Sequence, residues 1–444
     1  MMRALLGVFA FLLAFGCHAD PRCEAARALV AELADRGFFQ GAFVMGLGGS
    51  QRCEATYGHS DVERRIPFTT RTASDGGSIA KTMTAAALLR LADQGRVDLD
   101  APVRKYVAAY PHEATRVRHL LAHSAGLPGY AWFDERLGAG KPRSNADQVK
   151  VLAGMPPVFP PGTRFEYDNA AYDTAAMVIE AATGKRYAEH LGEAFFKPLG
   201  MNDAFVRPER FADFPAPRTR GYRRGKDGFD LHDAIDGEAF HGGGNVYLSA
   251  SDLERWAAGF ARGAKAVGAA RRDVRRRARL DDGRETGLSF SGWYSDREGR
   301  RHHYTGNHQG FFAISLWDDE GRSLGLAGNV LMSTWLKATL PRALAAIAQG
   351  RTVETLRPPA AVPPPSGAAR WNVQGVGEVT MEPGQPRTWR VLMPSGVTYT
   401  AYPAGRDTWY APGLDACIQW ESPDRLAWNS VFMQTRGERL ASRP

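Results

Sequence analysis

Apolar positions recur at helical spacing over residues 24–36, predicting an amphipathic helix. A continuous apolar run, Gly41-Ala42-Phe43-Val44-Met45-Gly46-Leu47, then predicts a strand that ends at Gly48-Gly49, with Ala55-Thr56-Tyr57-Gly58 as its hairpin partner. Met83, Ala86, Ala87, Leu88 and Leu91 mark a buried helix from Ser78 to Gln94, stopped by Gly95. Shorter helices are expected over Val117–His123, Ala170–Ala182 and Tyr187–Phe196, the second closed by Gly184. The Gly242-Gly243-Gly244-Asn245 loop precedes a helix capped by Ser251, with Glu254 three residues on. Strands return at Phe311–Trp317 and Ser323–Gly328, and Thr334–Ala348 is a terminal helix. Strands at both ends of the region and helices between them predict one sheet assembled from both ends and backed by helices.

A proline-rich stretch, Arg357 to Gly367, then breaks the pattern. Beyond it, short alternating runs such as Thr388–Met393 and Val397–Tyr402 predict a small all-β domain. The expected organisation is a segment over 1–19, a main domain over 20–350, a linker over 351–369 and a β-domain over 370–444. The last holds Trp371, Trp389, Trp409, Trp420 and Trp428, read as core, with a ligand-stacking platform as the minor alternative.

The 444 residues are 44% hydrophobic and 23% charged, an ordinary globular balance. Arg3, the apolar run Ala4–Gly16 and the small residues after it read as a secretory signal cleaved after Ala19, which predicts a periplasmic or secreted protein. Lipidation at Cys17, giving a lipoprotein, is the alternative. In an oxidising compartment Cys23 and Cys53 are candidates for a disulfide, and Cys417, in an apolar run, reads as a buried thiol. The net charge of +8 concentrates in the basic run 271–279, read as a solvated face, so no nucleic-acid partner is expected. His119 and His123 stand at i, i+4, but no zincin-type glutamate accompanies them, so neither metal nor cofactor is expected. Trp132 and Phe133 are candidates for lining a cleft or for core packing.

Candidate chemistry begins at Ser78-Ile79-Ala80-Lys81. At i and i+3 the lysine stands beside the serine on one helix face, and a serine hydroxyl needs such a neighbour to become nucleophilic. Tyr167-Asp168-Asn169 and His308-Gln309-Gly310 follow in that order. With Gly95-Arg96-Val97-Asp98-Leu99-Asp100, the stretch Val117–Pro128, Pro198-Leu199-Gly200-Met201 and Gly243–Ser249, they make residues 22–350 resemble the serine β-lactamase and penicillin-binding-protein superfamily, in its class C-like branch of esterases and D-aminopeptidases.

The resemblance implies an α+β, β-lactamase-like transpeptidase fold, an antiparallel sheet flanked by a helical subdomain. It implies an acyl-enzyme on Ser78, with Lys81 taking its proton directly or through Tyr167. Asn169 would bind the substrate amide or orient Lys81. His308 and Gly310 would form the third motif, and the N–H groups of Ser78 and Phe311 the oxyanion hole. Asp168 is expected to point away from the site. Small esters, peptides or β-lactams are the implied substrates, and a monomer is expected. His308 stands where penicillin-recognising enzymes carry a lysine and is mostly neutral at pH 7, so esters and small peptides are expected to outrun β-lactams. The alternative is a penicillin-binding sensor or scaffold that acylates without efficient turnover.

Overall fold

The computed structural model describes residues 20–138, 143–215, 218–225, 228–353, 365–384, 388–403, 408–430 and 434–441. Residues 1–19, on which the expected secretory signal and Cys17 fall, and most of the proline-rich stretch lie outside them.

Helix α1 (Pro21–Asp35) starts where Asp20 accepts a bond from the Arg22 N–H at 2.9 Å. Strands β1 (Gly41–Gly46) and β2 (Arg52–Tyr57) follow, then helices α2 (Ala80–Asp93), α3 (Ala170–Thr183) and α4 (Ala250–Ala261). Strands β3 (Tyr294–Ser295), β4 (Arg301–His308), β5 (Phe311–Asp318) and β6 (Ser323–Gly328) return to the sheet, and α5 (Thr334–Ala348) closes the domain. The sheet order is β3-β4-β5-β6-β1-β2, and each pair is antiparallel. Both chain ends of the domain therefore contribute strands, as the hydrophobic pattern predicts.

The sheet is buried on both faces, which explains why β1, β5 and β6 read as continuous apolar runs. Phe43 and Met45 pack with Phe312, Ile314, Leu324 and Leu326 under α1 and α5. Ala42, Val44, Ala313 and Trp317 face the helical side with α2 and α4. At Gly325 a Cβ would lie 2.3 Å from the Ala250 carbonyl and the Glu254 N–H, so only glycine lets α4 sit this close. Cys23 and Cys53 are bonded, tying α1 to β2.

Several local expectations change. The cap of α4 is Ser249, not Ser251: its hydroxyl accepts from the Asp252 N–H and the Asp252 carboxylate accepts from the Ser249 N–H, two residues earlier than Ser251 and Glu254 would set the box. Glu254 instead takes a bond from Ser323 and lies 3.8 Å from Arg52. The segment 187–196 is a short α-helix that loosens into a π turn over Gly192–Phe196. Strand β4 was not legible as a strand, because Arg301-His302-His303-Tyr304-Thr305-Gly306-Asn307-His308 carries almost no apolar signal.

The C-terminal region is an eight-stranded closed barrel. Its strands are β7 (Ala369–Val373), β8 (Gly377–Pro383), β9 (Trp389–Leu392), β10 (Thr398–Pro403), β11 (Thr408–Ala411), β12 (Ala416–Ser422), β13 (Arg425–Ser430) and β14 (Gln434–Arg439). Pairing of β7 with β14 closes it and leaves no edge. All five tryptophans are buried, and Trp420 packs against Trp371, Trp389 and Trp409. They are core, as the alternating pattern predicts. Cys417 is buried too, and that burial pushes its thiol pKa well up. No helix among the described residues is long and apolar enough to cross a membrane.

Candidate active site

Ser78 sits in a 3-10 turn, Gly77–Ile79, that runs directly into α2. The turn is held against β4 where that strand runs past its two-residue pairing with β3 and leaves a free edge. A Cβ on Gly306 would lie 1.7 Å from the Gly76 carbonyl, and one on Gly77 2.5 Å from the Asn307 nitrogen. Glycine at both positions permits this approach, and Gly77 also has φ +50°.

Lys81 is fully buried on the first turn of α2. Its Nζ donates to Ser78 Oγ at 3.2 Å, to Asn169 Oδ1 at 2.6 Å and to the Gly243 carbonyl at 2.6 Å. The amide and carbonyl oxygens can only accept from Lys81, whereas the Ser78 hydroxyl can either accept from it or donate to it. Tyr167 OH donates to Ser78 Oγ at 3.0 Å and lies 3.2 Å from Tyr304 OH. Ser78, Lys81, Tyr167 and Asn169, far apart along the chain, thus meet at one point.

Deeper groups hold that arrangement. Buried Asp173 accepts from Tyr130 OH at 2.6 Å, Gln148 Nε2 at 3.0 Å and the Gly243 N–H at 2.9 Å, which aims the Gly243 carbonyl at Lys81. His123, at φ +51°, stacks under Tyr167 with centroids 4.5 Å apart. Its Nδ1 accepts the Asp168 N–H at 3.2 Å. Burial, helped by the charge of Lys81, pushes the His123 pKa well down, so the ring stays neutral and can accept. Considered as a metal candidate, His123 is instead the floor beneath Tyr167, and His119 bonds Asp281. Asp168 turns back into the fold and accepts the Ala171 N–H at 2.6 Å, capping α3. Its burial raises its pKa to about 7.

The third motif is relocated. His308, Gly310 and Phe311 do not line the cleft that holds Ser78. His308 Nδ1 pairs with Asp75 Oδ2 at 2.8 Å, and Asp75 Oδ1 takes the Gly77 N–H at 2.8 Å, so His308 braces the nucleophile turn from behind. Burial disfavours its charge, but the bond to Asp75 and the carboxylate charge outweigh that and raise its pKa. The pairing with Asp75 thus moves His308 toward its charged form, against the direction expected for a neutral ring. Gly310 donates its N–H to the His232 carbonyl, and Phe311 is buried against Tyr247. His308 and Phe311 face each other across the two-residue turn, where an antiparallel hairpin exchanges its ladder bonds. The Phe311 N–H is thus spent in the sheet. The next residue back, Asn307, turns its N–H to the free edge beside Gly77.

Tyr304, Thr305 and Asn307 take the places next to Ser78. The signal was present: Tyr304-Thr305-Gly306 keeps the last two residues of a Lys-Thr-Gly triplet, with tyrosine for lysine. Trp132 and Phe133 are not among the residues lining this cleft. Phe133 is fully buried, and Trp132 packs on the core beneath Arg136.

The cleft encloses about 400 Å³. Its remaining wall comes from Tyr294, from Lys337 on α5, and from Tyr402, Pro403 and Tyr410 on the barrel. Burial lowers the Lys337 pKa to about 8, against the opposing charge of Asp415.

Residues 26–350 match the family model described as Beta-lactamase. The chain belongs to that family. It is 28% identical over 187 residues to penicillin-binding protein 4* of Bacillus subtilis (strain 168), covering 41% of this chain and 42% of that protein. The chain thus spans less than half the length of the curated relatives it matches. Among solved structures, the octameric penicillin-binding protein homologue from Pyrococcus abyssi superposes with TM-score 0.63 at 18% identity, over 93% of this chain and 98% of that one. The D-amino acid amidase from Ochrobactrum anthropi SV3, complexed with L-phenylalanine amide, gives TM-score 0.57 at 24% identity, over 70% of this chain and 91% of that one. These two likenesses show the fold, a β-lactamase-like domain. Family membership supports a serine hydrolase in the broad sense.

Proposed function

We propose that this protein is an exported hydrolase that cleaves small esters or amides through an acyl-enzyme on Ser78. The carrying observation is that Ser78 Oγ lies within hydrogen-bond reach of both Lys81 Nζ and Tyr167 OH. In this reading the Ser78 proton passes to Lys81, directly or through Tyr167, as Oγ attacks the carbonyl. Lys81 Nζ lies 5.1 Å from the Tyr167 ring centroid, and the Tyr304 hydroxyl lies 3.2 Å from that of Tyr167. Tyr167 gives a proton to the leaving alcohol or amine and is reprotonated from Lys81. The N–H groups of Ser78 and Asn307 are the oxyanion donors in this reading, each typically worth about 3–4 kcal/mol. Asn169 holds Lys81 and borders the space for the substrate amide.

Esters and small amides are favoured over β-lactams. Tyr304 stands uncharged where a lysine would meet the substrate carboxylate, and His308 is turned away to Asp75. Lys337 is offset in part by Asp415. Export is supported by the Cys23–Cys53 disulfide, since such bonds persist in oxidising compartments.

The test is turnover of nitrophenyl acetate, D-amino-acid amides and a chromogenic cephalosporin, with intact-mass spectra of the protein. Ester or amide turnover that vanishes in Ser78→Ala is the expected result. Turnover surviving that change overturns the assignment. A persistent adduct on Ser78 without turnover would favour the sensor, and a kcat/KM for the cephalosporin well above that for nitrophenyl acetate would overturn the preference.

A further inference from the structure

The barrel interior is filled by tryptophan side chains, so what it offers the cleft lies on its rim. Tyr402 and Pro403 at the end of β10, and Tyr410 on β11, face the same space as Ser78. This rim is fixed rather than loosely apposed. Asp415, at φ +42° and 1% exposed, accepts bonds from His303 Nε2 at 2.7 Å, from Thr305 Oγ1 at 3.1 Å and from Tyr410 OH. His303 and Thr305 alternate with Tyr304 along β4. One face of β4 thus serves Tyr167 while the other is locked to the barrel. The seam is tight elsewhere: Phe165 and Tyr399 rings sit 4.8 Å apart, and a Cβ on Gly413 would lie 2.5 Å from Phe165. Phe165 is two residues from Tyr167, so both catalytic stretches touch the barrel.

We propose that the barrel rim is the substrate selector of the Ser78 cleft, with Tyr402 limiting the size of the group admitted and Asp415 as the positioning residue that holds the rim in register with β4. The proposal rests on the hydrolase reading above. Tyr402 is buried neither by the barrel nor by the body: it is 44% exposed, so its ring is free to act as a wall. About 400 Å³ is near the small end of ligand pockets. The selected substrates are therefore compact esters or amides, with a short group on the barrel side.

Two series of esters test this, one lengthening the acyl chain of a nitrophenyl ester from acetyl to octanoyl, the other enlarging the alcohol of an acetate. In Tyr402→Ala the long-to-short ratio of kcat/KM is expected to rise at least tenfold in one series, while Tyr402→Phe keeps the wild-type ratio. Asp415→Asn is expected to relax the same ratio, in the same series, with kcat falling more than KM rises. Unchanged ratios in both series for Tyr402→Ala overturn the selector. An Asp415→Asn protein that loses kcat with its ratio intact overturns the positioning role. Turnover surviving in Ser78→Ala, by contrast, would fail the hydrolase reading and leave the ratios attributable to another site.

Discussion

The helical side of the cleft and the C-terminal barrel bury comparable kinds of volume with opposite materials. Around Ser78, the buried groups are Lys81, Asp75, His123, Asp168 and Asp173, each with named partners. In the barrel the core is tryptophan, valine, leucine and methionine. Buried polar groups cost stability unless fully bonded, and apolar ones do not. The barrel is built for packing, and the cleft accepts a costly interior that chemistry can use. Among the barrel's buried polar groups, which include Gln419 and Asn429, Asp415 is instructive: a carboxylate bonded across the seam to β4.

Substitutions break this comparison in graded ways. Ser78→Ala is the largest: turnover should fall at least about 10⁴-fold with the melting temperature nearly unchanged, read by ester hydrolysis and calorimetry. A coincident loss of folding would mean that Ser78 is structural. Tyr167→Phe should remove the proton relay between Ser78, Lys81 and the leaving group and lower kcat by about 10²–10⁴-fold, measured on the same ester. Equal kcat in the two proteins would leave proton transfer to Lys81 alone.

Trp420→Ala in the barrel should cost about 3–5 kcal/mol in denaturant unfolding, as large aromatic truncations do. Its effect on kcat/KM should be confined to the ester-size ratio. A loss below about 1 kcal/mol would show that the barrel core is loosely packed.

Asp168→Asn is a smaller effect with a sign. Burial raises the Asp168 pKa from 3.8 to about 7. An acid whose folded pKa is raised contributes stability that is complete below the unfolded value and lost as pH rises through the folded one. The asparagine keeps an acceptor for the Ala171 N–H without that loss. Its stability relative to the parent should therefore improve between pH 4 and 8, by on the order of 4 kcal/mol at the upper end. A flat difference across that window would mean that Asp168 is ionised throughout. Smallest of all, Tyr304→Phe should lower kcat by about fivefold, since one neutral hydrogen bond to Tyr167 is worth about 1 kcal/mol.

Much was legible along the chain because local periodicity is a local property. The buried helix after Ser78, the strands β1, β5 and β6, the terminal helix and the all-β tail follow from apolar spacing alone. So does the pairing of Ser78 with Lys81, because i and i+3 share a helix face whatever the rest of the molecule does. Tertiary structure decided what depends on which edges meet. Strand β4 is polar because its free edge faces the nucleophile turn and its two faces serve Tyr167 and Asp415, so hydropathy passes it over. His308, in a pattern that looked catalytic, was carried past the turn and bonded to Asp75. That barrel residues wall the cleft could not be read from their spacing either, since contact between Tyr402 and the space around Ser78 is fixed only by how two separately packed cores dock.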